Sequence, residues 1–260
     1  MRRRAGALAT LVALLCFGTL AHATVVQEGN VRISVLSQVL PYKLPRHGTA
    51  PIAVFVSGHL SEPHGGIPSQ LQEMTVEVNK HGLLQSKGLP TCPLSAIQPA
   101  STQRALSVCG DALIGSGQFW AHIVLPDQGA YPTHGRLLIF NGRRAGKPVI
   151  FTHIFTANPF FSSFVIPFSI SKKTGKGAYG TKLTASLPQA LGDWGYVDRI
   201  KLTLKRKYTY QGKQLSYFNA GCPAPQGTKR TVFPLALASF AFADGTELAA
   251  KVEKACAVKE

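Results

Sequence analysis

The chain has 260 residues, with 28 lysines and arginines against 12 acidic residues and a formal net charge of +16. A hydrophobic content of 45% is ample for a core and excludes a disordered chain. The charge does not select a fold, but any polymer attracted to this protein electrostatically is anionic.

The chain opens like a secretory signal peptide over residues 1–23. Arg2, Arg3 and Arg4 precede an uncharged apolar stretch at 5–20, and Ala21, His22 and Ala23 supply small residues for cleavage. The apolar stretch is shorter than the roughly 20 residues of a membrane helix. No second one follows, so no membrane span is expected in the mature chain, 24–260. Cys16 as a lipidated residue is the weaker reading, because Leu14, Leu15 and Phe17 crowd it. Cleavage removes three arginines and no acid, leaving 25 basic residues against 12 acidic ones, a net charge of +13. In an exported protein this points to wall polymer, acidic polysaccharide or lipid head groups rather than nucleic acid. A surface charge that merely keeps the protein soluble gives the same composition.

Four cysteines remain after cleavage: Cys92, Cys109, Cys222 and Cys256. An even number in an oxidising compartment reads as two disulfides. Three pairings are possible, and the nearest-neighbour one, Cys92 with Cys109 and Cys222 with Cys256, is favoured. The alternative, a zinc site, lacks the short Cys-x-x-Cys spacing. No metal or cofactor is expected.

From residue 31 onward, strand-forming residues alternate with polar ones between Gly, Pro and Asn. Strands are expected at 31–35, 52–56, 74–78, 119–125, 137–140, 149–155, 161–170, 182–187, 200–210, 235–242 and 248–252. Asn141 with Gly142, and Asp244 with Gly245, supply the positive φ of hairpin turns between such runs. One short helix is expected at 102–108, capped by Ser101, inside the loop closed by the first disulfide. The expected fold is all-β: a single domain forming an antiparallel two-sheet sandwich of about a dozen strands with one short helix. The weak candidate for a domain boundary is Gly115 to Gly117.

The clearest chemical pattern spans 197–210. Read as one strand, period two sends Ile200, Leu202, Leu204, Tyr208 and Tyr210 one way and Arg199, Lys201, Lys205 and Lys207 the other, with cations about 7 Å apart where they alternate. With Lys213 and the basic loop 172–182, this row is a candidate polyanion-binding stripe. A solvated edge strand shows the same row of lysines.

Other motifs carry less. Gly175, Gly177 and Gly180 match a Gly-x-Gly-x-x-Gly string, but they fall between two strands, where a hairpin loop is expected and no helix opens. His122 and His153 lie in strands among aromatic residues, while His59, His64 and His134 are expected in loops and match no metal-binding pattern. His122 and His153 would meet only if their strands were neighbours; a packed histidine with one hydrogen bond is the simpler expectation. No Gly-x-Ser-x-Gly elbow is present, and no catalytic residue is assigned. Glu73 and Glu77 share one face, and Asp193 beside Trp194, near Tyr196, resembles a sugar-binding corner. Converging carboxylates of this kind would support an extracellular, glycosidase-like hydrolase, the alternative reading.

The strings at 45–49 (PRHGT), 187–196 (LPQALGDWGY) and 217–223 (YFNAGCP) resemble those of a family of uncharacterised secreted actinobacterial proteins. The resemblance covers nearly the whole mature chain and implies export. It brings no activity, fold, cofactor or site residue with it. The favoured expectation is a secreted or cell-wall-associated binding or structural protein that contacts anionic envelope polymer or carbohydrate through Arg199, Lys201, Lys205, Lys207 and Lys213.

Overall fold

A computed structural model describes residues 23–124, 129–158, 161–187 and 195–259. Most of the signal-like segment, 1–22, lies outside the described residues, as do Asp193 and Trp194, while Ala23 opens the first strand.

In chain order the elements begin with β1 (Ala23–Glu28), β2 (Val31–Leu40), β3 (Lys43–Pro45), β4 (Ala50–Pro51), β5 (Ala53–Ser61), β6 (Leu71–Asn79) and β7 (Gly82–Leu84). Two short helices follow, α1 (Leu94–Ile97) and α2 (Thr102–Cys109). Then come β8 (Leu113–Ile123), β9 (Tyr131–Arg144), β10 (Lys147–Thr156), β11 (Ser162–Lys172), β12 (Tyr179–Ser186) and β13 (Gly195–Leu204). The chain closes with β14 (Lys207–Tyr210), β15 (Lys213–Ser216), β16 (Phe218–Ala220), β17 (Arg230–Phe242) and β18 (Glu247–Lys259).

The fold is all-β, but it is not two stacked sheets. Thirteen strands form one continuous sheet in the order β1-β2-β5-β13-β8-β9-β10-β11-β12-β6-β17-β18-β3. The sandwich expectation fails because β9 and β10 are hydrogen-bonded on both edges and carry the ladder from one half to the other. The sheet curls until its halves face each other. Val31 and Ile33 of β2 pack on Ala238 and Phe240 of β17 and Leu248 and Ala250 of β18. Phe119 and Ala121 of β8 share a second cluster with Ile166 of β11 and Ala185 of β12. Where the ends approach, the Thr24 hydroxyl donates to the Lys251 carbonyl at 3.0 Å, and the Lys254 ammonium donates to the Ser37 carbonyl. Two smaller sheets, β4-β16-β7 and β14-β15, contribute Ala220, Phe218 and Tyr208 to a third cluster.

Both disulfides have the favoured pairing, Cys92–Cys109 and Cys222–Cys256. The helix expected at 102–108 is α2, and the Ser101 side chain accepts from the Arg104 amide at 3.2 Å. The sequence reading missed α1. Both helices lie over the outer side of β9 to β11, where Ile97 and Ala105 meet Leu138, Phe140 and Phe151. That cover explains why 137–142 is buried without alternation.

Asn141 and Gly142 do not form a turn. Asn141 donates to the Pro90 carbonyl at 2.8 Å, and an added Cβ on Gly142 would lie 2.4 Å from the Phe151 ring. Both belong to β9, and the turn into β10 is Ala145 and Gly146, with φ of 48° and 75°. Two positive φ values give the two-residue hairpin turn that matches strand twist. Asp244 and Gly245 do lie in the β17–β18 turn. Gly115 to Gly117 mark no boundary, since they run through β8, where a Cβ on Gly117 would lie 1.9 Å from the Lys201 carbonyl oxygen.

Candidate functional site

Period two and register together decide which side chains share the outer face of β2, β5, β13, β8 and β9. Ile200 and Leu202 turn into the core, so Arg199 and Lys201 turn out and are exposed. Register then aligns side chains across the strands. One row runs Ser34, His59, Arg199, Trp120 and His134. The next runs Leu36, Ser57, Lys201, Gln118, Arg136 and, on β10, Phe155. A third runs Gln38, Phe55, Thr203 and Ser116. The second row from Leu36 to Arg136, together with the third, lines an open groove of about 560 Å³ that crosses the strands.

The centre of this face is Trp120. The Arg199 guanidinium lies 5.8 Å and the Lys201 ammonium 5.6 Å from the ring centroid, both on the neighbouring strand. These distances fall within cation–π range. The five strands contain a single acid, Asp198, alongside Arg32, His59, His122, His134, Arg136, Arg143, Arg144, Arg199 and Lys201. On the opposite half of the sheet two of the acids are paired with lysines. Glu77 of β6 is held by Lys173 at 2.5 Å, and Glu253 of β18 lies 2.6 Å from Lys251. The face around Trp120 thus carries cations with one acid among its strands, and such a face can attract and hold anions.

Asp198 sits at a bulge in β13, where Val197 and Arg199 are the paired residues on either side. His122 stacks on Tyr196 with centroids 5.1 Å apart, and its Nδ1 lies 3.9 Å from Asp198 Oδ2. Burial, and then the Asp198 charge, raise the Tyr196 hydroxyl above the ordinary tyrosine range, so it stays a donor.

Of the five cations named from the sequence, the structure brings only Arg199 and Lys201 to this face. The run 197–210 is not one strand: β13 ends at Leu204, and β14 belongs to a different sheet. The break is fixed at Lys205 and Arg206. The Lys205 amide donates to the Ile114 carbonyl, the Tyr217 amide donates to the Arg206 carbonyl, and the Arg206 guanidinium donates to the Asp111 carbonyl. Lys207 and Lys213 then stand at opposite ends of the β14–β15 hairpin, facing Ser216 and Tyr210.

The remaining motifs resolve simply. Gly175 and Gly177 of the glycine string occupy the hairpin loop between β11 and β12, and Gly180 lies in β12. His122 and His153 do not meet, because β9 lies between their strands. His153 is fully buried, with Nε2 2.9 Å from the Ala100 carbonyl. Glu73 and Glu77 are four residues apart on β6, about 13 Å along a strand. That exceeds the roughly 5–10 Å over which paired carboxylates cleave glycosides. Among the described residues no group of three or more His, Cys, Asp or Glu side chains could hold a metal ion. None of their helices is long and apolar enough to cross a membrane.

The sequence reading missed Gln118 and Arg136, placed His59 and His134 in loops although they lie in β5 and β9, and noted Trp120 only as a neighbour of His122. Alternation at 116–120 and 134–136 carries the signal that these residues point outward. Which strands flank β13 is what their sequence cannot show. No protein-family model, curated protein or solved structure matches the chain.

Proposed function

We propose that this is an exported, non-enzymatic binding protein that holds an anionic carbohydrate polymer of the cell envelope across the outer face of β5, β13, β8 and β9. The observation that carries this reading is Trp120, an outward-facing indole flanked by Arg199 and Lys201 on a face with one acid. An aromatic ring offers a flat apolar surface for the C–H face of a sugar. The adjacent guanidinium and ammonium supply charge-assisted hydrogen bonds to carboxylate or sulfate. A polyanion without rings would use the cations and leave Trp120 idle. Export follows from the signal-like segment, with support from the two disulfides and from the resemblance to secreted proteins.

Co-sedimentation of the oxidised protein with purified envelope polymer across a salt series tests the reading. The wild type pellets at low salt and is released as salt rises, because screening shortens the reach of these charges to about 10 Å at 0.1 M. Changing Arg136, Arg199 and Lys201 together to Glu abolishes pelleting, whereas changing Lys205, Lys207 and Lys213 to Glu leaves most of it. A wild type that stays in solution at every salt concentration defeats the proposal.

A further inference from the structure

We propose that the groove is matched to a polysaccharide whose negative charges recur on every second sugar; this rests on the anionic-carbohydrate reading of the same face. The inference comes from register. Lys201, Gln118 and Arg136 are direct neighbours on β13, β8 and β9, so cation, neutral amide and cation follow one another across the sheet. Strands are spaced about 4.8 Å apart, which sets Lys201 and Arg136 about 10 Å apart at the backbone. The next row sets the Arg199 cation beside the uncharged Trp120 ring, with His134 beyond it.

The groove runs across the strands along the Lys201, Gln118 and Arg136 row, beside the row of Arg199 and Trp120. A β-linked pyranose advances its chain by nearly one strand spacing, so a polysaccharide lying in the groove sets about one sugar over each strand. Anions on alternate sugars then meet Lys201 and Arg136. The uncharged sugar between them lies over Gln118, whose amide both donates to and accepts from hydroxyls. Beyond the cations the same row is uncharged on both sides, with Ser57 and Leu36 on one flank and Phe155 on the other. Phe155 stacks on exposed Phe161 at 6.3 Å, a further apolar surface for a sugar face. A polymer charged on every sugar would desolvate anions over Gln118 and Phe155, where no cation answers them.

Isothermal titration with three oligosaccharides of equal length tests this: a hyaluronan oligomer with a carboxylate on every second sugar, an oligogalacturonate with one on each, and a neutral chito-oligosaccharide. The hyaluronan oligomer binds at least tenfold more tightly than either of the others. Gln118→Lys, at an exposed position, narrows or reverses the gap to oligogalacturonate. Equal or tighter binding of oligogalacturonate by the wild type overturns the spacing proposal, since unspecific attraction favours the higher charge, while leaving the anionic reading intact. Failure of all three also overturns it, and the anionic reading then falls as well if envelope polymer does not co-sediment. Preference for the neutral oligomer overturns both.

Discussion

The Lys201 ammonium lies 5.6 Å from the centre of the Trp120 ring, across the β13–β8 ladder, and each depends on the other for its role. The ring fixes where the charge stands, and the charge marks the ring as a binding surface instead of a buried one. Trp120→Ala therefore weakens polymer binding by on the order of tenfold, about 1.4 kcal/mol. Trp120→Phe, which keeps a ring, loses less. Titration calorimetry separates the two, and thermal unfolding shows that both variants are folded.

The groove also depends on a missing side chain. A Cβ on Gly117 would lie 1.9 Å from the Lys201 carbonyl and 2.9 Å from the Leu202 side chain, so Gly117→Ala forces β8 away from β13. Overpacking of this kind costs about 1–3 kcal/mol. A Cβ on Gly177, in the β11–β12 loop, meets nothing within 4 Å, and Gly177→Ala leaves the denaturation midpoint unchanged. Urea unfolding of the two variants side by side checks the contrast.

Acidification acts through His153. Its Nε2 donates to the Ala100 carbonyl, and Nδ1 is buried with no hydrogen-bond partner. Burial lowers its pKa below the ordinary histidine value, with the Ala100 hydrogen bond opposing in part. Between the lowered folded value and the unfolded value near 6.5, the unfolded chain binds more protons. Stability from this group is therefore complete above about pH 6.5 and declines as pH falls through that window. His153→Gln, which retains an amide donor, removes that component of the slope. Denaturation midpoints between pH 8 and pH 5 for the two proteins give the difference directly.

The two disulfides differ in what they hold. Cys92–Cys109 closes a separation of 17 residues and fastens the helical cover, while Cys222–Cys256 closes 34 and ties the segment after β16 to β18 inside the main core. Chain entropy assigns them about 3 and about 4 kcal/mol. Replacing both cysteines of a pair with Ala lowers the melting temperature in each case, and more for the Cys222–Cys256 pair. Calorimetry under non-reducing conditions measures both shifts.

Most of the strand positions were legible because period two and turn residues are local signals. Ser101 as a cap and the cysteine pairing were legible for the same reason. The closure was not. Whether a dozen strands make two sheets or one depends on β9 and β10 being paired on both edges, and nothing within 131–156 states that. Asn141 and Gly142 misled because their chemistry serves packing: one answers the Pro90 carbonyl and the other makes room for Phe151. The basic stripe was half legible. Arg199 and Lys201 point outward as alternation requires, but the chain leaves the sheet at Lys205 through bonds to Ile114 and Tyr217, which are distant in sequence. Arg136 and Trp120 joined the site only through register, a property of pairs of strands.

Trp120 fluorescence during titration with purified envelope polysaccharide reports whether the indole itself receives the polymer. Trp194→Phe leaves Trp120 as the single indole in the chain. Its emission is expected to change saturably, to recover with salt, and to stay constant when Arg136, Arg199 and Lys201 are changed to Glu. Binding that leaves Trp120 emission unchanged, or that persists in the charge-reversed variant, would contradict the binding role proposed for this face.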